Sequence, residues 1–248
     1  MNNERIESLL HGWRQVGVAY GGPIAESAIL VDLESLLLET ARVMPYVGRL
    51  ANTTVSWLFQ YGSLVAQHRL RTLAMQRLAL DDRAPLGLVL EQAQAARPSL
   101  GFQKVLAALC PAGEPRPLLM SLRGNEALRQ WSERSSGAIG RRWRLYIDDE
   151  PPRPKVLRAR RWIMDRHPDF VIREQFNGDL RASVLASLWF DEDAGESETA
   201  LAAACGGEVG EVRAAVADLE ARSMIARRES SGSTRFAALV PTRSALRA

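Results

Sequence analysis

The chain has 248 residues, of which 46% are hydrophobic and 25% charged, with a formal net charge of +3. That is one large domain or two small ones, with enough chain to bury a core and no compositional sign of disorder. Two cysteines far apart in sequence, Cys110 and Cys205, exclude a disulfide framework and a four-thiolate zinc site, and no apolar run approaches the ~20 residues that cross a bilayer.

The pattern predicts a mainly α protein. A short helix or tail over 1–22 ends at Tyr20-Gly21-Gly22-Pro23, and a helical domain follows over 23–150. From Ile24 to Met44 there is no Gly or Pro, and Ile24, Ala28, Val31 and Leu38 recur at helical spacing. Asn52-Thr53-Thr54 offers N-caps for a second long helix, with Gly62 as a break. Asp81-Asp82 reads as the cap of a helix from Pro85 to Ala96, and Phe102 to Leu109 as one more. The longest helices are therefore expected before residue 81. Asn125 to Arg134 reads as helix, and Ile139 to Ile147 alternates weakly like a short strand. Pro151-Pro152 and Pro154 open a proline-rich linker over 151–174, which carries a basic helix from Lys155 to Arg166 that Pro168 stops.

The informative segment is 175–241, before a tail at 242–248. Leu180 to Trp189 reads as a helix, Glu198 to Cys205 as a short second one, and Gly206-Gly207 as a tight turn. A third helix runs from Glu208 to Ser223 with Val212, Val216 and Leu219 inward, and strands from Met224 and Arg235 flank a turn at Ser231-Gly232. This order of elements, with the exit Leu219-Glu220-Ala221-Arg222-Ser223-Met224-Ile225, resembles the winged helix-turn-helix domain of MarR-like and ArsR-like transcription factors. The resemblance covers about 60 residues and lies in pattern. It implies a DNA-binding, usually dimeric regulator, with the third helix in the major groove and the wing near the minor groove.

Charge both supports and strains that reading. Residues 178–248 hold 8 arginines against 11 carboxylates, a net −3, which leaves +6 on the rest. The first turn of the third helix, Glu208-Val209-Gly210-Glu211-Val212-Arg213-Ala214, offers two glutamates and one base. The candidate DNA contacts are Arg213 in that turn, Arg227, Arg228 and Arg235 around the wing, and Arg158 and Arg161 on the basic helix. The alternative is an interaction module whose acidic third helix docks a protein partner, such as a toxin, without reading DNA. Helices between Ile24 and Leu80 are apolar over more than one face, which predicts a homodimer or an effector pocket there.

No P-loop, dinucleotide-binding glycine triplet or nucleophile elbow appears, so no enzyme activity is expected. His68 reads as an ordinary helix residue and Asp148-Asp149-Glu150 as a solvated linker. No cofactor, metal or membrane contact is expected. Met1-Asn2-Asn3-Glu4-Arg5 lacks the basic and apolar regions of a secretion signal, which predicts a cytoplasmic location.

Overall fold

The computed structural model describes residues 3–22, 30–111, 113–230 and 233–239, with the backbone alone at 228–230 and 233–234. The protein is mainly helical. α1 (Asn3–Gln15), α2 (Leu33–Val43), α3 (Arg49–Tyr61), α4 (Gln67–Arg77), α5 (Leu80–Ala96) and α6 (Gln103–Leu109) make the first half. A two-residue strand β1 (Arg116–Pro117) precedes α7 (Met120–Arg123), α8 (Glu126–Ser135) and α9 (Ala138–Arg142) and pairs in parallel with β2 (Leu145–Tyr146). Then come α10 (Arg160–Arg166), α11 (Pro168–Phe176), α12 (Leu180–Phe190), α13 (Glu198–Cys205), α14 (Val209–Ala221) and the antiparallel hairpin β3 (Ile225–Ser230) and β4 (Ser233–Ala238). No described helix is long and apolar enough to cross a membrane.

Several boundaries differ from expectation, each for a local reason. α2 starts only at Leu33, because the Asp32 carboxylate accepts from Ser35 N at 3.0 Å and caps it there; residues 24–29 lie outside the described part. Thr53 and Thr54 lie inside α3 rather than capping it. The Thr53 hydroxyl donates to Arg49 O, and Ser56 donates to Asn52 O, four residues back. α5 begins at Leu80 and carries Pro85 within it, so at 17 residues the longest helix lies beyond the expected region. Ile139 to Arg142 is helical, and only Leu145-Tyr146 is strand. The basic stretch is not one continuous helix from Lys155: Pro154–Val156 is a single 3-10 turn. Ala19 N donates to Val156 O and Arg158 N to Gly17 O, which holds Leu157 extended and delays α10 to Arg160. Pro168 ends α10 and also opens α11, where its missing N–H costs nothing.

Asp149 is a cap rather than solvated linker. Its carboxylate accepts from Ile139 N, Gly140 N and Gln92 Nε2, and Arg153 N donates to Ser56 Oγ, so 149–153 is fastened to α9, α5 and α3.

Two apolar clusters meet edge to edge. The first centres on α3, where Trp57 stacks edge-on against Trp13 at 5.7 Å and donates to Val16 O. Leu33, Leu37, Leu50, Val55 and Leu58 are buried in it by other helices of the same chain. Among the described residues of this region, Tyr46, Met75 and Leu80 are the large apolar side chains that stay exposed. The second cluster holds Ile172, Val184, Leu185, Leu201, Val212 and Leu219, with Ala66 from the start of α4.

A buried ion network joins the two clusters. The Arg69 guanidinium on α4 grips Asp32 at 2.7 and 2.9 Å, Asp191 at 3.0 and 3.1 Å, and Glu34 at 3.2 Å. Arg173 on α11 bonds Glu34 at 2.9 Å and Leu64 O at 3.2 Å, and Glu34 also accepts from Ala66 N. Arg69, Arg173, Glu34 and Asp169 are fully buried. Burial disfavours the Arg69 cation, but the carboxylates around it outweigh that and hold it firmly protonated. Asp169 lies 4.0 Å from Arg173, and among the described residues no side chain hydrogen-bonds its oxygens at good geometry; only the backbone N–H groups at 169 and 170 approach them. Burial pushes its carboxyl up to about 6, with Arg173 opposing only in part.

Two outcomes are expected. Glu34→Gln leaves two buried guanidiniums short of charge and should cost about 3–5 kcal/mol in urea unfolding. Asp169 holds its proton more tightly folded than unfolded, so stability should rise as pH falls from about 6 to about 4, by at most about 1.4 kcal/mol per pH unit. Asp32 has the opposite sign. Burial raises its carboxyl, but bonding to Arg69 prevails and holds it below the ordinary value, so stability is lost as pH falls further. Urea midpoints across this range should show that maximum, and Asp169→Asn should flatten its upper arm.

Candidate nucleic-acid interface

The C-terminal elements are fixed by specific caps. Asp179 accepts from Arg181 N and Ala182 N and starts α12, and Ser197 accepts from Ala200 N and starts α13. Gly206 ends α13 at φ +77, a left-handed conformation that favours glycine. α14 then crosses to bury Val212, Val216 and Leu219 against α12 and α13. Its exposed face carries Glu208, Gly210, Glu211, Arg213, Ala214 and Ala217. Cys205 is buried beneath, and burial pushes its thiol up to about 11, out of reach of thiolate chemistry.

The predicted contacts fall into two places. Arg213 bonds Glu198 on α13 at 2.7 and 3.0 Å, which ties the two helices together. Arg227 bonds Glu220 at 2.9 and 3.1 Å and lies over the Phe236 ring at 5.4 Å. Arg235 is mostly exposed, 3.6 Å from Glu196. The hairpin register pairs Arg228 with Arg235 and Arg227 with Phe236, so Arg228 and Arg235 share one face; the side chain of Arg228 and the turn at Ser231-Gly232 lie outside the described part. Arg158 and Arg161 belong elsewhere. Arg158 N donates to Gly17 O, its carbonyl accepts from Tyr61, and its guanidinium lies 5.8 Å from the Trp162 ring centre. Arg161 is almost fully exposed, 3.7 Å from Asp165.

Arg181 and Arg222 share Asp218, so each described arginine side chain of the C-terminal unit has a carboxylate within it. Glu208 and Glu211 form no ion pair among the described residues. Exposed pairs of this kind are worth only about 0.2–1 kcal/mol, so a phosphate can compete for the arginine.

The sequence reading missed a basic edge that the fold brings to the turn. Gly206 packs on α4, and Arg71 donates to its carbonyl at 3.0 Å. Gln67, His68 and Arg71 on α4 and Lys104 on α6 line a shallow cleft beside it. Burial lowers the His68 pKa, and Arg71 and Lys104 lower it further, so the cleft is electropositive; Glu211 is close enough to oppose them. Nothing in the local pattern of α4 or α6 signals this, because 135 residues separate Arg71 from Gly206.

No protein-family model, curated protein or solved structure matched this chain.

Gly206→Ala should loosen the turn. A Cβ there would lie 2.0 Å from Thr72 Oγ1 and 2.8 Å from His68 O, on top of the roughly 1–2 kcal/mol that positive φ costs a side chain. The expected result is a lower melting temperature with faster amide exchange around residues 205–208. Gly210→Ala meets open space in α14 and should stabilise by up to about 1 kcal/mol.

Proposed function

We propose that residues 179–238 form a winged helix and that the protein is a DNA-binding transcriptional regulator. The observation that carries this reading is the geometry of one joint. α12, α13, a left-handed glycine turn, α14 and a two-stranded hairpin follow in the order such a module needs, and a basic edge from α4 and α6 flanks the turn. In this reading the phosphates are held by Arg228 and Arg235 on the hairpin and by Lys104 and His68 beside α14. The first turn of α14 contributes little grip, because Glu208 and Glu211 repel phosphate. Base reading rests on Arg213, which must leave Glu198 to reach a guanine edge.

A second reading is favoured by the charge on α14. Its solvent face is acidic, and its arginine is committed to Glu198. The same unit would then dock a protein partner with a basic surface and would not read DNA.

Fluorescence anisotropy on fragments from upstream of the protein's own gene, at about 50 and 200 mM salt, separates the two. The regulator reading expects salt-sensitive binding. Replacing Arg227, Arg228 and Arg235 with Ala should weaken it for all fragments alike and make the log–log salt slope shallower by about 0.9 for each phosphate no longer held. Lys104→Ala should act in the same direction, and Glu208→Gln with Glu211→Gln should tighten binding. Absence of binding at the lower salt overturns the regulator reading and leaves the docking module.

A further inference from the structure

A cavity of about 500 Å³ opens between α3, the Val18–Tyr20 turn, Gln92 on α5 and the segment from Ile147 to Val156. That is within the range of small-molecule sites, which are apolar inside with a few placed polar groups. Val18, Ala51, Ile147 and Val156 give the apolar lining, and Val18 and Ala51 are buried. The Tyr20 hydroxyl is buried beside them, with Thr53 next to it on the cavity wall, and burial pushes its pKa up.

Four charges line the cavity, and two of them are already spent. Glu150 pairs with Arg153 at 2.8 Å and accepts from Asn52 at 2.9 Å. The other two have no counter-charge within ion-pair distance among the described residues. The Arg49 guanidinium lies 4.8 Å from the centre of the Tyr20 ring and forms no ion pair among the described residues. Asp148 forms neither a hydrogen bond nor an ion pair among them. Arg49 and Asp148 thus border one cavity with opposite signs and no ion-pair partner among the described residues. A purely anionic ligand would meet Asp148, and a purely cationic one would meet Arg49. Only a molecule carrying both charges uses both.

We propose that this cavity binds an apolar amino acid or dipeptide as its zwitterion. Its carboxylate sits on Arg49, its ammonium on Asp148, and its side chain against Val18, Ala51, Ile147 and Val156. The site is independent of any DNA contact, since none of its residues belongs to the C-terminal unit.

Titration calorimetry on the full chain tests this with phenylalanine and with leucyl-phenylalanine, each free, N-acetylated and C-amidated. Binding of the free forms is expected, with roughly tenfold or greater weakening when either end is capped. Arg49→Ala should erase the penalty for amidation and keep that for acetylation; Asp148→Asn should do the reverse. Both side chains are exposed, so ligand-free melting of the variants should match the parent. No binding of either free form in the millimolar range, or equal binding of free and capped forms, overturns the proposal. Because no DNA is present, this outcome is independent of the regulator test.

Discussion

The rest of the structure depends on what surrounds the Arg69 guanidinium. A fully buried cation is tolerable only if its charge and its N–H groups are met, and here Asp32, Glu34 and Asp191 meet them. Those three carboxylates come from the cap of α2, the first turn of α2 and the end of α12. Arg173 repeats the device from α11 through Glu34. Four segments far apart in sequence are thereby held to one arrangement. An apolar contact at this seam would tolerate sliding, whereas bidentate arginine geometry does not.

That constraint sets how the C-terminal unit presents itself. With α12 anchored through Asp191, α13 and its glycine turn lie directly on α4, and the contact is close enough to need a residue without a Cβ at Gly206. The first turn of α14 therefore stands beside a basic edge that belongs to the helical body. The described arginine side chains of the unit each have a carboxylate within it, whereas Arg71 and Lys104 beside the turn belong to the helical body. Any polyanion held here would be held by both parts of the chain.

The same body places unspent charge on its other openings. Asp149 and Arg153 are consumed in fastening the proline-rich segment to α9 and α3. Their neighbours Asp148 and Arg49 are left over at the cavity that this fastening creates. A segment that reads as a solvated linker is thus a wall of the cavity, and Asp148 on it faces the same cavity as Arg49 at the start of α3.

The sequence by itself determined the class of the fold and the run of elements from Asp179 onward. There the signals are local: a glycine pair, inward residues at i, i+4 and i+7, and strands on either side of a Ser-Gly turn; the structure added the caps at Asp179 and Ser197. It also contained an unread sign of the buried network. Arg69 sits four residues before Leu73 on the inward face of α4, and Arg173 sits between Phe170 and Phe176 on that of α11, where a charge is out of place unless it is paired. Only the tertiary structure decided which carboxylates answer those arginines, that Pro168 opens a helix as well as closing one, and that Arg71 and Lys104 come to flank a turn at residue 206. The physical reason is that helical periodicity reports which face of an element turns inward. It carries no information about what lies opposite, and an ion pair is defined by its partner.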